Sequence, residues 1–332
     1  MLSNPDLQRM HADALDRTGV VARPIVMQTP WDIGAVTAFL FPAAPVTLID
    51  GGVNTPDAWD AICGALGAEG LSPKDVERVI VTHAHTDHFG GAALLQEAGG
   101  CEVVLHPADI EICKPELWPE TNREIFLPLG FTEEMIGAFW GGDGEDGFEW
   151  RVPSFEPVTD GAVFETGDAR LRVEHHPGHS PGHLWVVDDT SGAIFVGDYI
   201  LADHPTNAGL EVDRAHPTGR AQLLQAYNDG LRELAARRVP ALFPAHGPPI
   251  TDHPDLIGRR LEKTDRRTRH VHEALTERPQ SALDVGRSLY GTRAERSWEM
   301  MSDLVGRLDL LVAEGRASSR LGEDGVWYFT RV

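Results

Sequence analysis

Apolar residues fall into runs of strand length over the first two-thirds of the chain and into helical spacing over the last third. Runs at 23–27, 35–41 and 46–50 predict three strands, the last two turned at Pro42 to Pro45. The β-branched run Val79-Ile80-Val81 predicts a buried strand, and 102–106 predicts the next parallel one. Strands resume at 162–165, 171–175, 184–188 and 193–198, with a Thr190-Ser191-Gly192 turn between the last two, and another is predicted at 241–243. Helices are expected at 3–18, from the Thr55-Pro56 cap to about Leu66, briefly after Ser72-Pro73, through Ala92 to Gln96, and over 218–237. Two strand series, each finished by helices, predict two sheets packed face to face with helices outside.

Residues 107–150 break this rhythm. Helical stretches at 107–114 and 132–140 flank a proline-broken segment holding Trp118, Phe126 and Leu127. Met135, Ile136, Phe139 and Trp140 recur at helical spacing, as a packing stripe or as a substrate wall. Its place in the chain makes the segment a candidate lid, with Trp140 a substrate candidate. The run 141–147 reads as a flexible acidic loop. After Pro254 come predicted helices at 255–277, 281–290 and 294–314, with Gly315 as C-cap, then a hairpin around Glu323-Asp324-Gly325. With 332 residues, the division expected is a large domain, 1–254, with a helical insertion at about 107–150, and a small one, 255–332.

The strand at 79–81 ends in His83, His85, Asp87 and His88. Packing gives no reason to crowd such polar groups at a strand end. His83 and His85, two apart, leave an extended strand on the same side. Asp87 and His88 fall where the loop becomes helix and approach from another side. Neutral imidazoles with a carboxylate suit zinc, and also iron or manganese.

Charge narrows the partners. The net charge is −22, from 29 Lys and Arg against 51 Asp and Glu; this repels phosphate backbones and counts against nucleic acid as a partner. One stretch differs: 258–278 holds Arg259, Arg260, Lys263, Arg266 and Arg267, which either pair with the acidic domain or flank the site mouth and attract an anionic carrier. Cys63, Cys101 and Cys113 are odd in number and lie outside the histidine cluster, against a disulfide framework. The N-terminus lacks a signal pattern and no apolar run reaches membrane-spanning length, so a cytoplasmic enzyme with no membrane partner is expected.

The run His83-Ala84-His85-Thr86-Asp87-His88 resembles the HxHxDH signature of the metallo-β-lactamase-fold hydrolases. The likeness continues in order through His179 in Pro177-Gly178-His179-Ser180-Pro181-Gly182-His183, Asp198 in Phe195-Val196-Gly197-Asp198, and His246 in Pro244-Ala245-His246-Gly247. It covers roughly the first 250 residues and implies an α/β fold, the αββα sandwich. By resemblance, His83, His85 and His179 form one metal site and Asp87, His88 and His246 the other, with Asp198 bridging. Two Zn2+ are implied, with Fe or Mn as alternatives. Asp87 and Asp198 are the implied catalytic residues, and a hydroxide shared by the metals is the implied nucleophile on an acyl carbon. Asp50 would border the site in support. His183 is the alternative ligand or a brace of its loop, Tyr199 a candidate hydrogen-bond donor to substrate, His253 the competitor of His246, and His106 a strand-end residue able to face the site.

His85 excludes the fold's flavin-linked diiron reductases, and the span from Asp198 to His246 is too short for the inserted domain of its processive nucleases. The C-terminal helices and hairpin are similar to a winged helix, as in a subgroup whose members include thioesterases and a ribonuclease. The resulting expectation is a dinuclear metal-dependent hydrolase of acyl compounds, thioesters foremost, with a small-molecule substrate that is CoA- or carrier-linked. Ribonuclease or phosphodiesterase, lactonase and iron-dependent persulfide dioxygenase are the alternatives, and a homo-oligomer is left open.

Overall fold

Six strands make the first sheet: β1 (Arg23–Gln28), β2 (Ala35–Phe41), β3 (Thr47–Ile49), β4 (Arg78–Ile80), β5 (Glu102–Leu105) and β6 (Glu156–Pro157), neighbours in that order. The first three are antiparallel, and β3 to β6 run parallel. The second sheet holds β7 (Val163–Thr166), β8 (Ala169–His175), β9 (Leu184–Asp188), β10 (Ile194–Gly197) and β11 (Leu242–Pro244). Only β10 and β11 are parallel there. The computed structural model describes residues 2–140 and 151–332; the acidic run 141–147 and the side chains of Phe139 and Trp140 lie outside the described residues.

The alternation along β4 shows how the layers form. Ile80 points between the sheets, where it joins Phe39, Phe41, Leu171, Val186, Phe195 and Phe243. Val79 points the other way, into a layer with Leu48, Ile62, Leu66, Leu95 and Val103. That outer layer is closed by α2 (Pro56–Ala68) and α3 (Thr86–Gly99), while α1 (Asn4–Thr18) sends Ala14 and Leu15 into the inter-sheet core. Both faces of a strand are thus buried, which is why the strands read as unbroken apolar runs. The far face of the second sheet buries Trp185, Val187, Ile194 and Val196 against α7 (Leu223–Ala236) and α8 (His253–Ala274). The result is the αββα sandwich.

Between β5 and β6 run α4 (Pro107–Ile110), α5 (Trp118–Phe126) and α6 (Glu133–Trp140). Helix α5 corrects the expected proline break, because Pro119 sits in its first turn, where no amide partner is needed. The predicted helix 218–237 starts late, at Leu223: Gly219 has φ 74°, and buried Arg220 is held by Asp309. Past α8 the chain forms β12 (Gln280–Ser281), α9 (Ala282–Tyr290), α10 (Trp298–Ala313), β13 (Ala317–Leu321) and β14 (Trp327–Arg331). The hairpin partner β12 joins β14, giving a small third sheet. Ile125, Phe126, Leu129, Phe131 and Ile136 share one core with Val271, Leu283, Met301, Leu308 and Phe329, so the described part of the insertion is packed onto the C-terminal helices. Among the described residues, no helix is long and apolar enough to cross a membrane.

Candidate metal centre

The loop from β4 into α3 is built for a polar cluster. His83 follows the strand, His85 takes the N-cap position of α3, and Asp87 and His88 lie in its first turn. Helix α3 approaches the Asp50 loop closely enough that Gly91 donates its amide to Gly52 O at 2.9 Å. A Cβ on Gly91 would sit 2.1 Å from Gly51 O, so only glycine permits this approach. The contact brings Asp50 to His88, with Oδ2 2.9 Å from Nδ1. Asp50 also accepts from Thr82 N at 2.8 Å and Thr82 Oγ1 at 3.0 Å.

The hydrogen-bond network fixes which ring nitrogen carries the proton. A carbonyl only accepts, so His179 Nδ1 donates to Asn207 O (3.0 Å) and His246 Nδ1 donates to Ala35 O (2.8 Å). His88 Nδ1 donates to Asp50. Thr82 gives its hydroxyl proton to Asp50 and accepts from His83 Nδ1 at 3.1 Å. In each neutral ring the lone pair therefore lies on Nε2, facing inward. His83 Nε2 and His179 Nε2 lie 2.9 and 3.1 Å from His85 Nδ1. These two Nε2 atoms and His85 Nδ1 converge on a point that a cation would satisfy.

Beside them, Asp198 Oδ2 lies 3.6 Å from His88 Nε2, 3.5 Å from His246 Nε2 and 4.0 Å from His179 Nε2. Asp87 Oδ2 is 3.2 Å from His246 Nε2. His88 Nε2 and Asp198 Oδ1 are buried and have no hydrogen-bond partner among the described residues. Two ligand-sized groups result, His83, His85, His179 and Asp198 in one and Asp87, His88 and His246 in the other, each with its ligand atoms within 4.8 Å of one another. Unpartnered buried donors and acceptors in this chemistry fit a pair of divalent cations.

Electrostatics divide the two halves. Burial and the neighbouring imidazoles hold His83 well below the ordinary histidine range, and burial with His179 brings His85 down to about 3. Burial also opposes charge on His88, but Asp50, Asp198 and Asp87 outweigh it and raise the ring. Asp87 resists its own burial through His88 and His246 and is held at about 2.

Several expected residues lie elsewhere. His183 stacks on His83 (centroids 5.1 Å, 22°) but belongs to neither group. Tyr199 is fully buried, and its hydroxyl is spent on the carbonyls of Pro177 and Tyr227, both at 3.3 Å. It presents nothing to a substrate, which corrects that expectation. His253 bonds Arg237 O at 3.1 Å near the start of α8. His106 caps Ala108 N at 3.2 Å and stacks on His175. Trp140 has its side chain outside the described residues. The basic stretch pairs largely with its own surroundings: Arg259 with Asp255, Arg266 with Glu262 at 3.8 Å, and Arg267 with Asp303 at 3.7 Å. Arg260 turns inward and donates to the carbonyls of Leu201 (3.0 Å), Ala202 (3.4 Å) and His204 (2.6 Å). A third cluster, Glu174, His176 and Glu233, is already neutralised by Arg172 and Arg237.

The sequence reading missed Thr82, Asn207 and Asp109. Asp109 lies in α4, fully buried, with burial pushing its carboxyl up to about 6 against three donated hydrogen bonds. Its only sequence signal is an acid in the first turn of a helix that directly follows a strand.

Comparisons with known proteins bear on the family and the fold. A family profile described as Metallo-beta-lactamase superfamily matches residues 31–246. The chain is 29% identical to the probable metallo-hydrolase YqjP of Bacillus subtilis (strain 168), over 92% of this chain and 97% of that one. It is 25% identical to an atrochrysone carboxyl ACP thioesterase of Aspergillus terreus over 73% of this chain, which spans 58% of that protein. Its fold superposes on a metallo-beta-lactamase family protein from Thermus thermophilus with a TM-score of 0.76, at 23% identity over 94% and 99% of the two chains. With that profile laid over four ordered motifs and a two-sheet sandwich whose loops gather seven ligand-type side chains, the chain belongs to the metallo-beta-lactamase superfamily as one of its hydrolases.

Proposed function

We propose that the chain is a dinuclear metal-dependent hydrolase of acyl compounds, with thioesters as its substrates. The observation that carries this is the convergence of His83, His85, His179, Asp87, His88, His246 and Asp198 at one buried edge. In this reading the first three would hold one metal, Asp87, His88 and His246 would hold the second, and Asp198 would reach both. The preferred pair is zinc, with iron or manganese as alternatives. When bound, the pair polarises an acyl carbonyl and lowers the pKa of water to about 7.

The chain's own groups set up that chemistry. Asp50, Thr82, Asn207 and Ala35 each hold one ring in the tautomer that presents a lone pair. Asp87, held ionised, is a ligand and a proton acceptor rather than an acid. With Asp87 unavailable as an acid, a leaving group that departs as an anion is favoured, and a thiolate, pKa about 8.5, does so far more readily than an alkoxide. The thioesterase name of the fungal relative supports the same choice. The C-terminal helices and small sheet are read as winged-helix-like, forming a unit from about residue 255.

Metal analysis followed by a substrate screen tests the proposal. The expected result is about two zinc ions per chain and turnover of acyl-CoA or acyl-carrier thioesters at least tenfold faster, in kcat/KM, than of lactones or phosphodiesters. Asp198→Ala should lose the second metal and reduce kcat by about 100-fold or more, because the bridge holds the pair together. One iron and no zinc, with persulfide consumption, would replace the hydrolase reading.

A further inference from the structure

The two loops that bear the three-nitrogen group come from different sheets. His83 and His85 follow β4 of the first sheet, and His179 lies between β8 and β9 of the second. Asp109, from α4, stands where they meet. Its Oδ2 accepts from Ala84 N at 3.0 Å and from Ser180 Oγ at 2.6 Å, and its Oδ1 accepts from Gly182 N at 2.5 Å. Ala84 is the residue between His83 and His85, and Ser180 directly follows His179. One carboxylate thus ties the peptide between two of the converging imidazoles to the loop that carries the third.

The seat is shaped for this group. A Cβ on Gly182 would lie 2.7 Å from Asp109 Oδ1, so the second glycine of the Pro-Gly-His-Ser-Pro-Gly loop leaves room for the carboxylate. Ala84, Ser180 and Asp109 are all buried, which shuts the amide and hydroxyl donors off from bulk water. Three donors require an acceptor-only partner, which a carboxylate is and an amide is not. An Asn in this place would turn its NH2 either on Gly182 N or on Ala84 N, and neither backbone amide can accept.

We infer that Asp109 is a positioning residue for the metal centre: it sets the separation of the His83–His85 loop from the His179 loop, and with it the affinity and geometry of the three-nitrogen site. It touches neither substrate nor any ligand atom. The inference rests on the ligand assignment proposed above. Its consequence is selective, because no hydrogen bond from Asp109 reaches Asp87, His88 or His246.

The test is titration of metal-free protein with Co2+ against a chelator, with the visible ligand-field spectrum and the metal-free melting temperature recorded in parallel. In Asp109→Asn the binding step assigned to His83, His85 and His179 should weaken about 10- to 100-fold, the scale on which residues supporting metal ligands act. The other step should stay within threefold, and the cobalt spectrum of the first site should shift. Ser180→Ala removes one of the three bonds; it should weaken the same step about threefold to tenfold, with the metal-free melting temperature within a few degrees of wild type. That variant carries the test if Asp109→Asn fails to fold. Equal weakening of both steps, or neither step changing by more than twofold, overturns the inference while leaving the ligand assignment standing. A wild-type chain that binds no Co2+ overturns both.

Discussion

Gly91 and His11 are single positions where a small change has a calculable effect. The Cβ of Gly91→Ala would meet Gly51 O at 2.1 Å, so α3 must move off the Asp50 loop. Overpacking of this kind costs about 1–3 kcal/mol. A matching fall in the urea midpoint of metal-free protein, with the m-value unchanged, is expected. His11 is buried against Phe39 and its Nε2 reaches Gly247 O at 2.9 Å; burial lowers its pKa to about 4. Because the folded pKa lies below the unfolded value of 6.5, the unfolded chain binds the extra proton, and stability falls as pH drops from about 6.5 towards 4. The loss is at most about 3 kcal/mol, from 1.36 kcal/mol per unit. His11→Gln should flatten that part of the pH dependence relative to wild type in urea titrations at pH 7, 5.5 and 4.5. His183→Ala should retain both metals in elemental analysis, since its ring stands behind His83 rather than among the converging nitrogens. Loss of metal from that variant would move the ligand role from His179 to His183.

At the scale of elements, what the sequence shows depends on how local the cause is. The β4–α3 cluster was legible because its four residues lie within six positions and their spacing alone brings them to one strand end. Strands buried on both faces were legible for the same reason, as unbroken apolar runs. The start of α7 was not, because Arg220 is drawn out of a helix by Asp309, 89 residues away. Asp109 was invisible because its role exists only once the two sheets meet, and Asn207 because it reaches His179 from 28 positions along the chain. Helix α8 shows the same limit. Its basic stretch reads either as ion pairing with the acidic domain or as a site for an anionic carrier, yet Arg260 braces the backbone at 201–204, three to six residues beyond Asp198. The same loop continues to Asn207, which orients His179. Arg260→Met should therefore lower the melting temperature of the metal-free protein by several degrees, as loss of charge-assisted bonds to three carbonyls predicts at about 1.5–3 kcal/mol. A change below one degree would return Arg260 to the surface role.

For the molecule as a whole, the family profile ends at residue 246, but the packing does not. Leu256 and Ile257 of α8 share a core with Trp185 and Leu231, and Ser302 of α10 donates to Ala208 O at 2.8 Å. A chain cut after residue 252 should lose its single cooperative unfolding transition and expose apolar surface to dye. The spread of the converging side chains, from His83 to His246, has a further consequence that is kinetic. Both sheets must dock before Asp198 and His246 reach the others, and contacts so distant along the chain form after the costly loop closures. Metal then acts on the native basin and not on the folding barrier. At 100 times its dissociation constant it adds about 2.7 kcal/mol, and nearly all of this should appear as roughly 100-fold slower unfolding, with the refolding arm of the chevron unmoved.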